Sequence, residues 1–249
     1  MKDNFSKHSA QYSVYRPSYP TELFDFLISL VPDKKAAWDC GTGNGQVAIN
    51  LSPLFEKVYA TDISENQINH AVKRDNIFYK KESAESSSFA NGQFDLITAG
   101  MSVHWFDFSA FYAEVKRTLK NKGIVAVFGY SLLTTIDKSI NRILNHFYHN
   151  VIGQYWDKER RYVDENYCTI PFPFDRISTP SFVSRYEWSL DHLIGYLNTW
   201  SAVQHFKDKN NSNPVELIID ELEKTWDADE SKLVTFPILL RVGLKKDNH

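Results

Sequence analysis

Hydrophobic and polar positions along this chain follow two periods, and the switch between them recurs. Leu23, Phe24, Leu27 and Leu30 share one helical face, with Thr21 placed to cap the start and Pro32 to stop the run. Residues 36–40 then form a short apolar run closed by Gly41, the pattern of a buried strand entering a glycine turn. A helix over residues 46–52 and a second strand over 57–62 follow. Ser64 with Gln67 makes a capping-box signature for a helix carrying Ile68, Ala71 and Val72. Residues 77–81 and 94–99 read as the third and fourth strands, and Phe108, Phe111, Tyr112, Val115 and Leu119 as the buried stripe of the next helix. After a turn at residues 120–123, residues 124–128 make a fifth strand. Runs that are apolar throughout suit strands covered on both faces, so the alternation predicts an α/β fold, doubly wound around a mostly parallel sheet.

The rhythm breaks after Tyr130, and about 50 residues pass before the next convincing strand at 182–188. An insertion over 131–181 is therefore expected as a helical lid. Ile136, Ile140, Ile143, Leu144, Phe147 and Val151 describe one amphipathic helix in it, ahead of an irregular stretch around Pro171 and Pro173. Ser189 starts a further helix with Leu193, Tyr196, Leu197 and Trp200 on one face, and a helix over 214–226 and a strand over 233–242 close the pattern. The expectation is one compact unit over residues 1–249, with 1–20 as an aromatic N-terminal arm.

Composition narrows the class. A chain of 249 residues, 43% of them hydrophobic, can bury one large core. Its net charge is −3 and no run of lysines and arginines appears, so the electrostatic footprint of nucleic-acid binding is missing and a small molecule is the expected partner. Cys40 and Cys168, far apart, read as free thiols of a reducing compartment, which points to the cytoplasm. No stretch approaches the roughly 18 apolar residues of a membrane span, and the first 20 residues lack an apolar signal core.

The chemistry concentrates in Asp39-Cys40-Gly41-Thr42-Gly43-Asn44-Gly45, between the first strand and its helix. Glycines there let backbone approach a ligand, and the helix N-terminus behind them favours an anionic group. A dinucleotide site would carry its third glycine one residue later, where this chain has Gln46. Asp62 ends the second strand, the place from which a carboxylate accepts hydrogen bonds from a ribose diol in nucleoside-binding α/β folds.

The acidic-x-G-x-G-x-G spacing resembles the signature of class I S-adenosylmethionine-dependent methyltransferases. With His104-Trp105-Phe106-Asp107, residues 12–20, Thr199-Trp200-Ser201 and Phe236-Pro237, the chain looks like their trans-aconitate methyltransferase-like subgroup. The resemblance implies a Rossmann-like seven-stranded sheet and S-adenosylmethionine as cofactor. It implies cofactor contacts from Asp39, Gly41, Thr42, Gly43, Asn44, Gln46, Asp62 and Ile63, from Ser83, Ala84 and Glu85 on the adenine side, and from Thr98 and Ala99 beside the sulfonium.

Arg16 is suited to grip the methionine carboxylate or to pair with a surface acid, with Tyr12 or Tyr15 closing over the same site. Tyr15, His104, Trp105 and Phe106 are the candidate acceptor pocket. His104 is the candidate general base, an orienting role being the alternative. His146 and His149, three apart, lack the partners of a metal set, so no metal is expected. The subgroup and the lack of a catalytic dyad tilt the acceptor towards a small carboxylic acid. Two other classes stay open: a non-catalytic module that binds S-adenosylmethionine, and an NAD-dependent oxidoreductase suggested by the Tyr112-x-x-x-Lys116 spacing.

Overall fold

A computed structural model describes residues 14–227 and 229–246. Strands β1 (Ala36–Cys40), β2 (Lys57–Asp62), β3 (Ile77–Lys81), β4 (Phe94–Gly100) and β5 (Leu119–Tyr130) are mutually parallel and stand in the order β3-β2-β1-β4-β5. The order reverses between β1 and β4, so the connections leaving their carboxyl ends diverge and open a crevice there. In register, Asp39 stands between Ala60 and Thr98. Three strand ends therefore reach the crevice at one level.

Burial on both faces explains the continuous apolar runs. Ala37, Leu96, Ile124, Ala126 and Phe128 join one core with Leu23, Phe24, Ala48 and Leu51, whereas Trp38, Ile97, Val125 and Val127 join a second with Phe111 and Val115. The first core is covered by helices α1 (Thr21–Ser29) and α2 (Gln46–Leu51); between β2 and β3 lies the short α3 (Glu65–Asn69), and α4 (Phe108–Thr118) covers the second core. Trp38 fits because Phe89 and Phe94 pack around it and its indole N–H donates to Thr61 Oγ1 at 2.9 Å.

Several local expectations are corrected. Thr21 is the first helical residue and Pro20 precedes it, so no side chain caps α1. Ser64 does cap α3 by accepting from Gln67 N, but the helix stops at Asn69 and leaves Val72 exposed. The turn at 120–123 lies inside β5 as an irregularity with Lys122 at φ +60°, its amide donating to Lys245 O. The lid helix α5 (Lys138–His146) starts only after Asp137, whose carboxylate caps it, and passes into a π-turn over Phe147–Val151, so Ile136 lies outside it and exposed.

The lid continues through two 3₁₀ turns, Gly153–Tyr155 and Lys158–Arg160, to α6 (Arg161–Asp164). Ile140, Ile143 and Leu144 of α5 pack into the first core beside Leu193 and Leu197 of α7 (Leu190–Asn198) and Leu222 of α9 (Glu216–Glu223). Between them α8 (Ser201–Asn210) was not expected from the pattern.

Among the described residues nine strand segments take part where seven strands were expected, and one strand explains the difference. The long β9 (Lys232–Leu244) pairs antiparallel with β5 and with β7 (Asp175–Ile177) through the same residues around Gly243, and through Thr235 with both β6 (Thr134–Thr135) and β8 (Val183–Trp188). β5 and β6 thus line one of its edges and β7 and β8 the other, so the sheet still has seven rows.

Candidate active site

The crevice is built first from backbone. β1 ends at Cys40 and the loop behind it turns through three left-handed glycines, Gly41, Gly43 and Gly45. At Gly45 (φ +87°) a Cβ would fall 2.2 Å from the Tyr79 hydroxyl, so a side chain there would both strain the left-handed turn and displace Tyr79. At Gly43 (φ +56°) a Cβ would meet no protein atom within 4 Å. What needs a glycine at 43 is therefore the left-handed turn, and the space in front of it is open crevice.

Two carboxylates hold this loop. Asp62 accepts from Gly43 N and Ser64 N, both at 2.8 Å, and so ties the glycine loop to the N-terminus of α3. Asp39 lies deeper, with Thr42 Oγ1 donating to one oxygen at 2.5 Å and Thr98 Oγ1 to the other at 2.9 Å. Burial outweighs those hydrogen bonds and pushes its carboxyl up to about 7.

The opposite wall comes from the end of β4 and the 3₁₀ turn Val103–Trp105. Gly100, Met101, Ser102, His104 and Trp105 line the crevice. Met101 sits at φ +52°, an uncommon backbone state for a non-glycine residue, and donates its amide to Phe128 O at 2.7 Å. His104 is buried, its Nδ1 3.2 Å from the Tyr167 hydroxyl. Burial, helped by the Arg160 charge, lowers its pKa to about 3, so the imidazole is neutral through the physiological range. A group whose protonated form is this unfavourable is a poor proton acceptor, which favours the orienting role for His104.

Tyr167 (φ +58°) is itself fully buried and forms a left-handed pair with Asn166 (φ +53°), and its carbonyl accepts from Arg241 Nη1 of β9 at 2.9 Å. Sequence pattern did not single out this tyrosine. Nor did it find Trp156, Asp157 and Arg160, which the lid contributes to the crevice lining. They lie in a stretch without helical or strand period, where a tryptophan and an arginine have no core face to fill, and that mismatch was the available signal.

The sequence-predicted residues sort into three groups. Asp39, Gly41, Thr42, Gly43, Asn44, Gln46, Asp62 and Ile63 line the crevice together with Arg16, His104 and Trp105. Arg16 donates to Thr199 Oγ1, Thr199 O and Tyr130 Oη at 2.9 to 3.1 Å. A second group supports the lining without belonging to it. Thr98 positions Asp39, Ala99 is core, and Phe106 turns behind Gly41 onto Phe111.

Glu85 accepts from Asp107 N at 3.2 Å and from the Ser83 hydroxyl, while Ala84 is buried beside them; none of the three is among the lining residues. Tyr15 is the clearest correction: it is not among the lining residues, and its ring lies on Gly195 and His192 of α7. Tyr12 lies outside the described residues.

The dehydrogenase-like spacing finds no site. The Tyr112 hydroxyl is buried against Phe172 and Phe174 and is not part of the crevice lining. His146 and His149 are both exposed, and Cys40 is buried while Cys168 is exposed, each as a free thiol. No helix among the described residues is long and apolar enough to cross a membrane.

An open-faced left-handed glycine beside a carboxylate at the end of β2 fits the methionine and ribose portions of S-adenosylmethionine. Comparison with known proteins agrees. The methyltransferase-domain family model matches residues 38–127. A Dictyostelium discoideum protein described as a methyltransferase is 31% identical over 251 residues, 98% of this chain and 95% of that one. A solved structure from Anaeromyxobacter dehalogenans, described as a type II methyltransferase, matches with a TM-score of 0.87 and 32% identity over 94% of this chain and 100% of that one. Fold alone is shared with a Haemonchus contortus phosphoethanolamine N-methyltransferase solved with phosphomonomethylethanolamine and S-adenosylhomocysteine (TM-score 0.50, 16% identity, 97% of this chain, 58% of that one). With the glycine loop and Asp62 where such a cofactor needs them, this chain belongs to the class I S-adenosylmethionine-dependent methyltransferases.

Proposed function

We propose that this methyltransferase acts on a small carboxylic acid and forms a methyl ester, in keeping with the likeness to the trans-aconitate methyltransferase-like subgroup. The observation that carries the reading is the neutral, buried His104, whose pKa of about 3 leaves it unfit to take a proton from an amine or hydroxyl. A carboxylic acid with an ordinary pKa near 4 arrives already ionised and needs no base. S-adenosylmethionine, when bound, would supply an electrophilic methyl group whose leaving group is a neutral thioether, and the acceptor oxygen would supply the electron pair for the new bond.

The chain's own contribution is then alignment. Gly43 and Asp62 would hold the ribose and methionine portions, and Ile63 and Gln67 border the crevice beyond Asp62. His104 and Trp105 would orient the acceptor from the β4 side, with Trp156 and Arg160 facing it from the lid. Positioning of this kind is worth up to roughly 7 to 11 kcal/mol of barrier. A small acceptor, as opposed to a nucleic acid, is supported by the net charge of −3 and by the lid residues in the crevice wall.

The test is methyl transfer from labelled S-adenosylmethionine into a metabolite extract, followed by alkali treatment of the product. Label released as methanol supports an ester. Alkali-stable label on nitrogen would overturn the carboxylate reading while leaving the methyltransferase assignment intact.

A further inference from the structure

Arg160 is placed unlike the other arginine of the crevice. Arg16 spends Nε, Nη1 and Nη2 on Thr199 and Tyr130. Arg160 is anchored by Nε alone, which donates to Tyr148 Oη at 2.7 Å, and that hydroxyl in turn donates to Asp164 Oδ1 at 2.6 Å. Its guanidinium lies over the rings of Trp156 (4.8 Å) and Tyr148 (5.4 Å), and the Trp156 indole N–H donates to Tyr148 O at 3.3 Å.

The side chain is only 16% exposed, and it lines the crevice close enough to His104 to depress that imidazole. Neither terminal nitrogen of Arg160 makes a hydrogen bond among the described residues. A planar fork lying against two rings that themselves touch, with centroids 4.9 Å apart, fixed at its inner nitrogen and without a hydrogen bond from its outer two among the described residues, is preorganised for two parallel hydrogen bonds to an oxyanion.

We infer that Arg160 is the specificity-determining residue of the acceptor site and binds a carboxylate or phosphate group of the acceptor other than the atom that is methylated. The second clause follows from charge. An oxygen that accepts a methyl group loses its negative charge on the way to the transition state, so a cation paired with it would favour the ground state and slow the reaction. A cation paired with a spectator anion holds ground and transition states alike and spends its binding energy on alignment. The inference deepens the carboxylic-acid reading and rests on it only for the kind of acceptor.

The experiment uses the full-length protein saturated with S-adenosylhomocysteine, titrated with succinate and separately with inorganic phosphate by calorimetry. Arg160→Gln should weaken the anion that binds by about 10- to 100-fold, and Arg160→Lys, which keeps the charge but not the fork, by less. S-adenosylhomocysteine affinity should be unchanged in both, which also reports that each variant has folded. If phosphate binds in an Arg160-dependent way and succinate does not, the clamp stands and the carboxylic-acid reading loses its support. The clamp is overturned if neither anion binds the parent, if Arg160→Gln binds them as the parent does, or if it loses S-adenosylhomocysteine instead. Ester formation at an unchanged kcat/KM in Arg160→Gln would likewise overturn it while sustaining the carboxylic-acid reading.

Discussion

The two walls of the crevice are made in different ways. The cofactor wall consists of backbone turned at strand ends and held by short side chains: Asp62 on two amides, Asp39 between two threonine hydroxyls. The lid wall consists of long side chains held by each other, with Tyr148, Trp156, Arg160 and Asp164 forming one stacked and hydrogen-bonded group. A strand end has few conformations to lose, so the first wall is set by the sheet itself. Long side chains cost more entropy to fix and are worth fixing only where their geometry selects a ligand. On the proposed reading, the cofactor wall would serve any acceptor, and the lid wall is where one acceptor would be told from another.

The largest effect that would break this division is expected at Asp62. Asp62→Ala removes the acceptor of two backbone amides and the partner for the ribose diol, each charge-assisted bond being worth about 1.5 to 3 kcal/mol. S-adenosylhomocysteine binding should fall by on the order of 100-fold or more. Parent-like affinity in calorimetry would mean that the β2 carboxylate does not serve the cofactor.

A middle-sized effect is expected at the seam between the walls, where Tyr167 of the lid touches His104. Tyr167→Phe leaves His104 Nδ1 buried without its 3.2 Å partner, at a cost of about 1 to 3 kcal/mol. Thermal unfolding should show that loss while S-adenosylhomocysteine affinity stays as in the parent. A drop in cofactor affinity would mean that the walls are coupled through this pair.

The smallest effect is the parent's own pH dependence, because two opposed shifts nearly cancel in it. Asp39 is raised from 3.8 to about 7, so the folded state binds a proton that the unfolded state has lost, and stability declines as pH rises across that span. His104 is lowered from 6.5 to about 3, so its contribution is complete above pH 6.5 and is lost as pH falls towards 3. Between about pH 4 and 6.5 the two oppose each other and the parent's dependence on this pair is nearly flat. Asp39→Asn should therefore gain stability with rising pH through that interval relative to the parent, and His104→Gln should lose it. Denaturant titrations at several pH values check this, and parallel slopes in all three proteins would refute both shifts.

Much of the cofactor wall was legible in the sequence because its causes are local. β1, β2 and β3 are bounded by Gly41, Asp62 and the charges after Ile77 where the hydrophobic pattern put them, and glycine spacing alone separated this loop from a dinucleotide site. Ser189 capped its helix as read. The lid wall was illegible because its order is tertiary: α5 breaks into a π-turn, and Arg160 faces the crevice only because Tyr148, twelve residues earlier, holds it. Tyr15 and Phe106 were misplaced for a related reason. An aromatic beside a site reads the same in sequence whether it faces the ligand or packs behind the loop.

The pairing of β9 has a consequence for how the molecule is assembled over time. Tyr130 pairs with Ile238 and Ile124 with Leu244, and among the described residues the strands at 175–177 and 183–188 find their sheet partners only in this same segment. Closing such long loops comes late and slowly, since the entropy must be spent before the contacts are gained. Arg241, which holds Tyr167 and through it His104, lies on that strand. The parallel half from β1 to β4 can therefore form before the acceptor side exists, and a refolding experiment should recover S-adenosylhomocysteine binding in a faster phase than protection of the His104 imidazole.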